Sequence, residues 1–146
     1  MTKRGFTLIE LLIVIGIIAI LMALVIAVNP AKQFAQARNT QRWAHINSIL
    51  SVVYQNMVDN GGNFTCVAGA LPASATNMAV ASGNYNICSC LVPTYVAAMP
   101  FDPTTGSYTS CTTYDSKYTV MQDATTKRIT VAAPDAELSA TISMTR

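Results

Sequence analysis

Hydrophobic and polar positions divide the chain near residue 28. From Phe6 to Val28 the only polar side chains are Thr7 and Glu10, and Leu, Ile, Val, Ala, Met, Phe and Gly16 fill the rest. As a helix at about 1.5 Å per residue this run spans roughly 35 Å, enough to cross a bilayer. Asn29-Pro30 interrupts it. Pro30 removes a backbone hydrogen bond and crowds the preceding turn, which predicts a kink. Beyond it, Trp43, Ile46, Leu50, Val53 and Met57 follow a 3-4-3-4 spacing that Ile49 and Tyr54 widen, with Gln36, Arg38, Gln41, Arg42 and Asn56 largely off the stripe. Asn60-Gly61-Gly62 is a strong stop. The pattern predicts one long, kinked helix from about Thr7 to Asp59. Its first half is apolar all round and its second half is amphipathic, suited to lie on a sheet.

Residues 61–92 are rich in Gly, Ala, Ser and Asn with weak periodicity, and read as a loop with short elements. From Tyr108 the pattern turns to strand. Tyr108 to Tyr114 is rich in Thr and Tyr, and Tyr118–Met121 and Ile129–Ala132 flank Asp123–Lys127, a hairpin loop. A long helix followed by a short antiparallel meander is an α+β architecture. The expected divisions are 1–5, 6–28, 29–60 and a globular head over 61–146.

Composition sharpens this division. The 146 residues are 51% hydrophobic and only 11% charged, and the apolar excess is concentrated in the first helix. The head is small for a domain that must be stable without covalent staples. All four cysteines (Cys66, Cys88, Cys90 and Cys111) lie in it. An even count behind an apolar segment reads as two disulfides in an oxidising space. The rival, a four-thiolate zinc site, lacks a C-x2-C pair and has uneven spacing. A bond within Cys88-Ser89-Cys90 closes a strained ring, so each of these two bonds elsewhere, one with Cys66 and the other with Cys111. The formal net charge of +2 is too small to mark a nucleic-acid binder. Charge on the flanks of the apolar run (Lys3 and Arg4 against Lys32, Arg38 and Arg42) leaves its orientation tied, and the cysteines place the C-terminal part outside the cytoplasm.

Glu10 is the residue that ordinary readings of the N-terminus do not explain. A secretory signal has a shorter apolar region, although Ala35-Gln36-Ala37 does supply an A-x-A pattern, and a plain uncleaved anchor needs no acid. A carboxylate in an apolar helix costs on the order of 2.5–3.5 kcal/mol near the bilayer centre and less near an interface. It needs a cation, and Lys3 and Arg4 can serve by snorkelling while residues 1–5 are present.

The stretch Lys3-Arg4-Gly5-Phe6-Thr7-Leu8-Ile9-Glu10-Leu11-Leu12-Ile13-Val14 resembles the class III signal of type IV prepilins and type II secretion pseudopilins, and the resemblance continues to about Leu24. It implies the pilin fold, with cleavage between Gly5 and Phe6 by a prepilin peptidase and methylation of the new Phe6 amine. It also implies that Glu10 pairs with the amine of a neighbouring subunit and so sets register. The implied partners are other pilins in a homo- or hetero-oligomeric filament, the peptidase, an assembly platform with its ATPase, and the membrane. The implied route runs from a single-pass inner-membrane precursor, head outside the cytoplasm, to an extracellular or periplasmic filament. A looser resemblance joins Leu91–Tyr95 and Met99-Pro100-Phe101-Asp102-Pro103 to the loop that leads into the sheet of pilins and pseudopilins.

One departure tilts the reading within that class. Major pseudopilins continue into a glycine- and aspartate-rich calcium hairpin, whereas Tyr114 to Arg128 offers Asp115 and Asp123 without glycine. A disulfide-bearing head without that cage favours a pilus over a secretion pseudopilus. The reading from a different class is a membrane-tethered binding or adhesion domain that never polymerises. No catalytic constellation, phosphate loop, metal-ligand run or basic-aromatic patch is present, so an enzyme, a cofactor and direct nucleic-acid binding have no motif behind them. His45, the single histidine, reads as a surface or packing residue, the methionines, Met121 among them, as core filler, and Asn63-Phe64-Thr65 as a chance glycosylation sequon.

Overall fold

The computed structural model describes residues 5–27 and 29–146. Lys3 and Arg4, with most of the expected leader, lie outside the described residues, as does Val28. The elements are α1 (Leu8–Ala27), α2 (Pro30–Asp59), β1 (Thr76–Ala79), α3 (Cys88–Leu91), β2 (Ser107–Ser110), β3 (Thr113–Gln122), β4 (Ile129–Ala133) and β5 (Ile142–Thr145). They divide into two compact units, Met1–Ala35 and Gln36–Arg146.

In the first unit, Leu8–Ile26 has a mean hydropathy of 3.2 and none of it is buried within the chain. Nineteen helical residues reach about 28 Å, close to the hydrocarbon thickness of a bilayer. A helix apolar on every side with no protein cover belongs in lipid or among other helices, and α1 is long and apolar enough to cross a membrane. The long helix expected to be interrupted at Asn29-Pro30 runs as α1 to Ala27 and continues as α2 from Pro30. Asn29 takes φ 45° and its Oδ1 accepts the Lys32 N–H at 3.3 Å, so it caps α2 with Pro30 in the first helical position. Asn and Pro together start a helix here.

In the second unit α2 packs on a five-stranded sheet in the order β1-β3-β4-β5, with β2 also pairing β3, every pairing antiparallel. Alternation along β3 turns Tyr114, Ser116, Tyr118 and Val120 inward, and β4 adds Ile129, Val131 and Ala133. These meet Ile46, Ile49, Leu50 and Val53 of α2, all fully buried, in one core with Met78, Leu91 and Met99. The α+β architecture and the hairpin around residues 123–127 are as expected. β1 and α3 are short elements within the stretch read as a loop with short elements, and β5 carries no sequence expectation.

The buried face of α2 corrects the expected stripe. Arg42 is fully buried and Asn56 nearly so, while Trp43 is 41% exposed. The inward line runs Asn39, Arg42, Ile46, Ile49, Val53 and Asn56. The helical period holds but the face is rotated, because three polar residues with partners inside the head occupy core positions. Asn56 shows the reason: its amide brackets Thr65, accepting that N–H at 2.9 Å and donating to that carbonyl at 3.2 Å. A buried side-chain amide must find both an acceptor and a donor, and the Thr65 backbone supplies them.

Candidate functional site

The N-terminal site begins where the backbone becomes helical. Thr7 stands just before α1, and Glu10 is the third helical residue. The Thr7 N–H donates to Glu10 Oε2 at 2.8 Å, the Thr7 hydroxyl donates to the same oxygen at 2.7 Å, and the Glu10 N–H donates to Thr7 Oγ1 at 3.3 Å. This reciprocal arrangement is a capping box, satisfying donors that the first helical turn leaves without partners. The acid therefore has a role within its own chain that charge arithmetic did not reveal. The signal was present in the sequence, in Thr7 and Glu10 three residues apart ahead of an apolar run. Phe6 is 84% exposed, one residue before the cap. A Cβ added at Gly5 meets nothing within 4 Å, so packing within the described chain does not call for glycine there.

The head presents a second cluster, built on α2. Every donor of the buried Arg42 guanidinium is engaged. Nε donates to Asp102 Oδ2 at 2.6 Å and Nη2 to Asp102 Oδ1 at 3.1 Å, while Nη1 donates to Asn39 Oδ1 at 2.9 Å and Glu137 Oε2 at 2.8 Å. Thr104 Oγ1 accepts the remaining Nη2 proton at 2.9 Å. Asp102 Oδ1 also accepts the N–H groups of Thr104 and Thr105, at 2.8 and 3.1 Å, so one carboxylate folds its own turn and grips the helix. The turn closes at Gly106, where a Cβ would stand 2.5 Å from the Asp102 nitrogen. A bulge in β3 with Lys117 at φ 61° lets the Ser116 carbonyl accept the Asp102 N–H at 2.9 Å.

These contacts set the local ionisation. Burial opposes the Asp102 charge, and the Arg42 guanidinium with the Thr104 and Thr105 donors overcomes it, holding the carboxyl far below its usual range. Glu137, bonded to Arg38 and Arg42, is held down to about 2. Arg42 is raised by the same partners. His45 Nδ1 lies 3.0 Å from both the Phe101 carbonyl and the Tyr118 hydroxyl, and burial lowers its pKa. His45 is thus a half-buried packing residue, one of the two roles expected of it. These side chains are engaged with one another, and the chemistry of the cluster is that of a clamp.

The cysteines form two disulfides, Cys66–Cys90 and Cys88–Cys111. Cys88 is fully buried in the core, whereas Cys66 and Cys90 are half-exposed. Asn63 is exposed in the loop after α2. Among the described residues no group of three or more His, Cys, Asp or Glu side chains converges as metal ligands would.

An apolar anchor with a capped acid at its start, followed by a disulfide-stapled α+β head, defines a class of membrane-anchored precursor. Residues 1–26 match the prokaryotic N-terminal methylation motif, the class III signal peptide of type IV pilins and pseudopilins. The match ends inside α1 and covers none of the head. No curated protein and no solved structure matches the chain.

Proposed function

We propose that this chain is a structural subunit of a type IV pilus-like filament, cut by a prepilin peptidase between Gly5 and Phe6 and methylated on the Phe6 amine. The observation that carries the reading is Glu10, an acid retained at the start of an uncovered apolar helix, inside the methylation motif. Cleavage at that bond releases a cationic amine one residue before the Thr7 cap. The Thr7 N–H belongs to the next peptide bond, so the capping box outlives the cut. Glu10 Oε2 is held by Thr7, and Oε1 has no hydrogen-bond partner among the described residues, leaving it for an amine. Subunits staggered along a filament bring that amine from a neighbour, and a half-pair left in the core of helices costs roughly 3–5 kcal/mol. Register follows from that penalty.

The glycine requirement fits the same reading. Packing does not call for Gly5, whereas a protease drawing the backbone close does. The disulfides support export of the head from the cytoplasm, and extraction of α1 from lipid falls to the assembly platform and its ATPase. Mass spectrometry of sheared surface filaments tests the proposal. The expected first residue is methylated Phe6, and protein that still begins at Met1 overturns it.

A further inference from the structure

The chain has a single Asn-Gly step, Asn60-Gly61, and it falls where α2 ends. The helix closes there on its backbone: the Gly62 N–H donates to the Met57 carbonyl at 2.8 Å, and Gly61 stands at φ 66°, a left-handed position that glycine enters freely. Asn60 closes the last turn from its side chain as well, with Nδ2 donating to the Asn56 carbonyl at 2.7 Å. Asn56 in turn holds both polar groups of the Thr65 backbone, one residue before the Cys66 disulfide. A short chain of bonds therefore runs from Asn60 through Asn56 to the start of the stapled loop. An aspartate at position 60 could not make the first of them, because an ionised carboxylate only accepts.

The same step is open to chemistry. Asn60, Gly61 and Gly62 all face solvent, and a Cβ added at Gly61 meets nothing within 4 Å. The Gly61 N–H has no backbone hydrogen-bond partner among the described residues. A free peptide nitrogen, unshielded by a side chain of its own, can attack the amide carbon of the asparagine before it. Adjacent residues supply both atoms, so rotation about the bonds of Asn60 is enough to bring them together. The last turn of a helix opens most readily, and that opening releases Nδ2 from Asn56.

We propose that Asn60-Gly61 is a self-modification site, where Asn60 converts to aspartate or isoaspartate without an enzyme and loosens the junction between α2 and the disulfide loop. The Gly61 nitrogen gives its proton to solvent base and bonds to Asn60 Cγ, the Cγ–Nδ2 bond breaks, and ammonia leaves behind a five-membered imide. Water then opens the ring. Breaking the bond from the Gly61 nitrogen to Cγ leaves aspartate, and breaking its bond to the Asn60 carbonyl carbon leaves isoaspartate, with the chain routed through Cγ. One water enters for each ammonia lost, and nothing is oxidised or reduced. Either product removes the donor to Asn56 and adds a negative charge beside Asp59, at the helix end whose dipole opposes it. The change is cumulative, so the charge of the head records its age. The inference stands apart from the filament reading.

Peptide mapping of the full-length chain, incubated in detergent with isotopically heavy water oxygen at neutral and mildly alkaline pH, tests it. The expected result is one heavy oxygen at position 60, in a mixture of aspartate and isoaspartate, accumulating ahead of every other asparagine and faster at the higher pH. Asn60→Gln, whose attack needs a larger ring, should stay unlabelled over the same time. Asn60→Asp should melt a few degrees below wild type, from the lost bond and the opposed dipole. No label at position 60 in folded protein, label there only after unfolding in urea, or label appearing first at another asparagine overturns the site. A wild-type melting temperature for Asn60→Asp overturns the loosening.

Discussion

Arg42 and Asp102, 60 residues apart in sequence, meet through two hydrogen bonds with both side chains closed to solvent. One residue belongs to α2 and the other to the turn that leads into β2, so the pair fastens the chain's return to its helix. Burying two charges is costly, and the benefit comes from complete satisfaction of both partners.

Breaking that pair from one side leaves a charge stranded in the core. Asp102→Ala is expected to destabilise the head by about 3–5 kcal/mol, read by urea unfolding of the full-length chain in detergent. The double variant Arg42→Met with Asp102→Leu should recover much of the loss, since no charge is left unpaired. If Arg42→Met with Asp102→Leu unfolds at the midpoint expected from adding the separate losses of Arg42→Met and Asp102→Leu, the two side chains are not coupled as described.

Acid should weaken the same clamp in a defined window. Carboxylates whose folded pKa is depressed bind protons more readily when unfolded, so their stabilisation is complete above the unfolded value and lost as pH falls through the folded one. For Glu137 the window runs from an ordinary carboxylate value of about 4.3 down to about 2, and Asp102 extends it lower. His45 adds an earlier decline, beginning near its unfolded value of about 6.5, because burial disfavours its charged form. Urea midpoints measured across pH should show both steps, with Glu137→Gln reducing the lower one. Asp115 and Asp123 are also held low and will keep part of that step.

The sequence made the apolar anchor, the stop at Asn60-Gly61-Gly62 and the β3–β4 hairpin legible, because each rests on local chemistry or strict period. The rotation of α2 was not legible. Arg42 and Asn56 look like solvent residues until Asp102 and Thr65 are brought beside them, and nothing local to position 42 names a partner 60 residues on. β5 escaped notice because Ile142–Thr145 is short, with one inward residue, and is defined mainly by pairing with β4. The Thr7–Glu10 cap is legible in the T-x-x-E spacing ahead of an apolar run, whereas the cost of a membrane acid by itself points only to a cation.

The two disulfides should differ in what their loss does. Their sequence separations of 24 and 23 give nearly equal loop-closure terms, about 3.5 kcal/mol each on the chain-entropy account. Cys88 is part of the core and Cys66 is not. Replacing Cys88 and Cys111 with serine therefore adds a buried hydroxyl to the lost staple, and should lower the unfolding midpoint more than replacing Cys66 and Cys90. Peptide mapping without reductant checks the pairing, and equal losses from the two double variants would refute the distinction.

Thr7 offers the most direct separation of the acid's two roles. Its hydroxyl donates to Glu10 and accepts the Glu10 N–H, while its own N–H holds the same carboxylate oxygen. Thr7→Val keeps shape and backbone but removes both hydroxyl bonds, a loss of about 1 kcal/mol at a helix cap. The carboxylate is then free to rotate away from the position where a neighbour's amine must find it. Membrane insertion should be unchanged, because hydrophobicity rises. Surface filaments should fall several-fold, with Thr7→Ser close to wild type because it keeps the hydroxyl. Glu10→Ala should insert equally well and assemble worse than either, since it removes the partner itself and not only its placement. Filament counts by electron microscopy, normalised to inserted subunit on immunoblots, read this order. If Thr7→Val assembles like wild type, the amine alone positions Glu10 and the cap serves only the helix end.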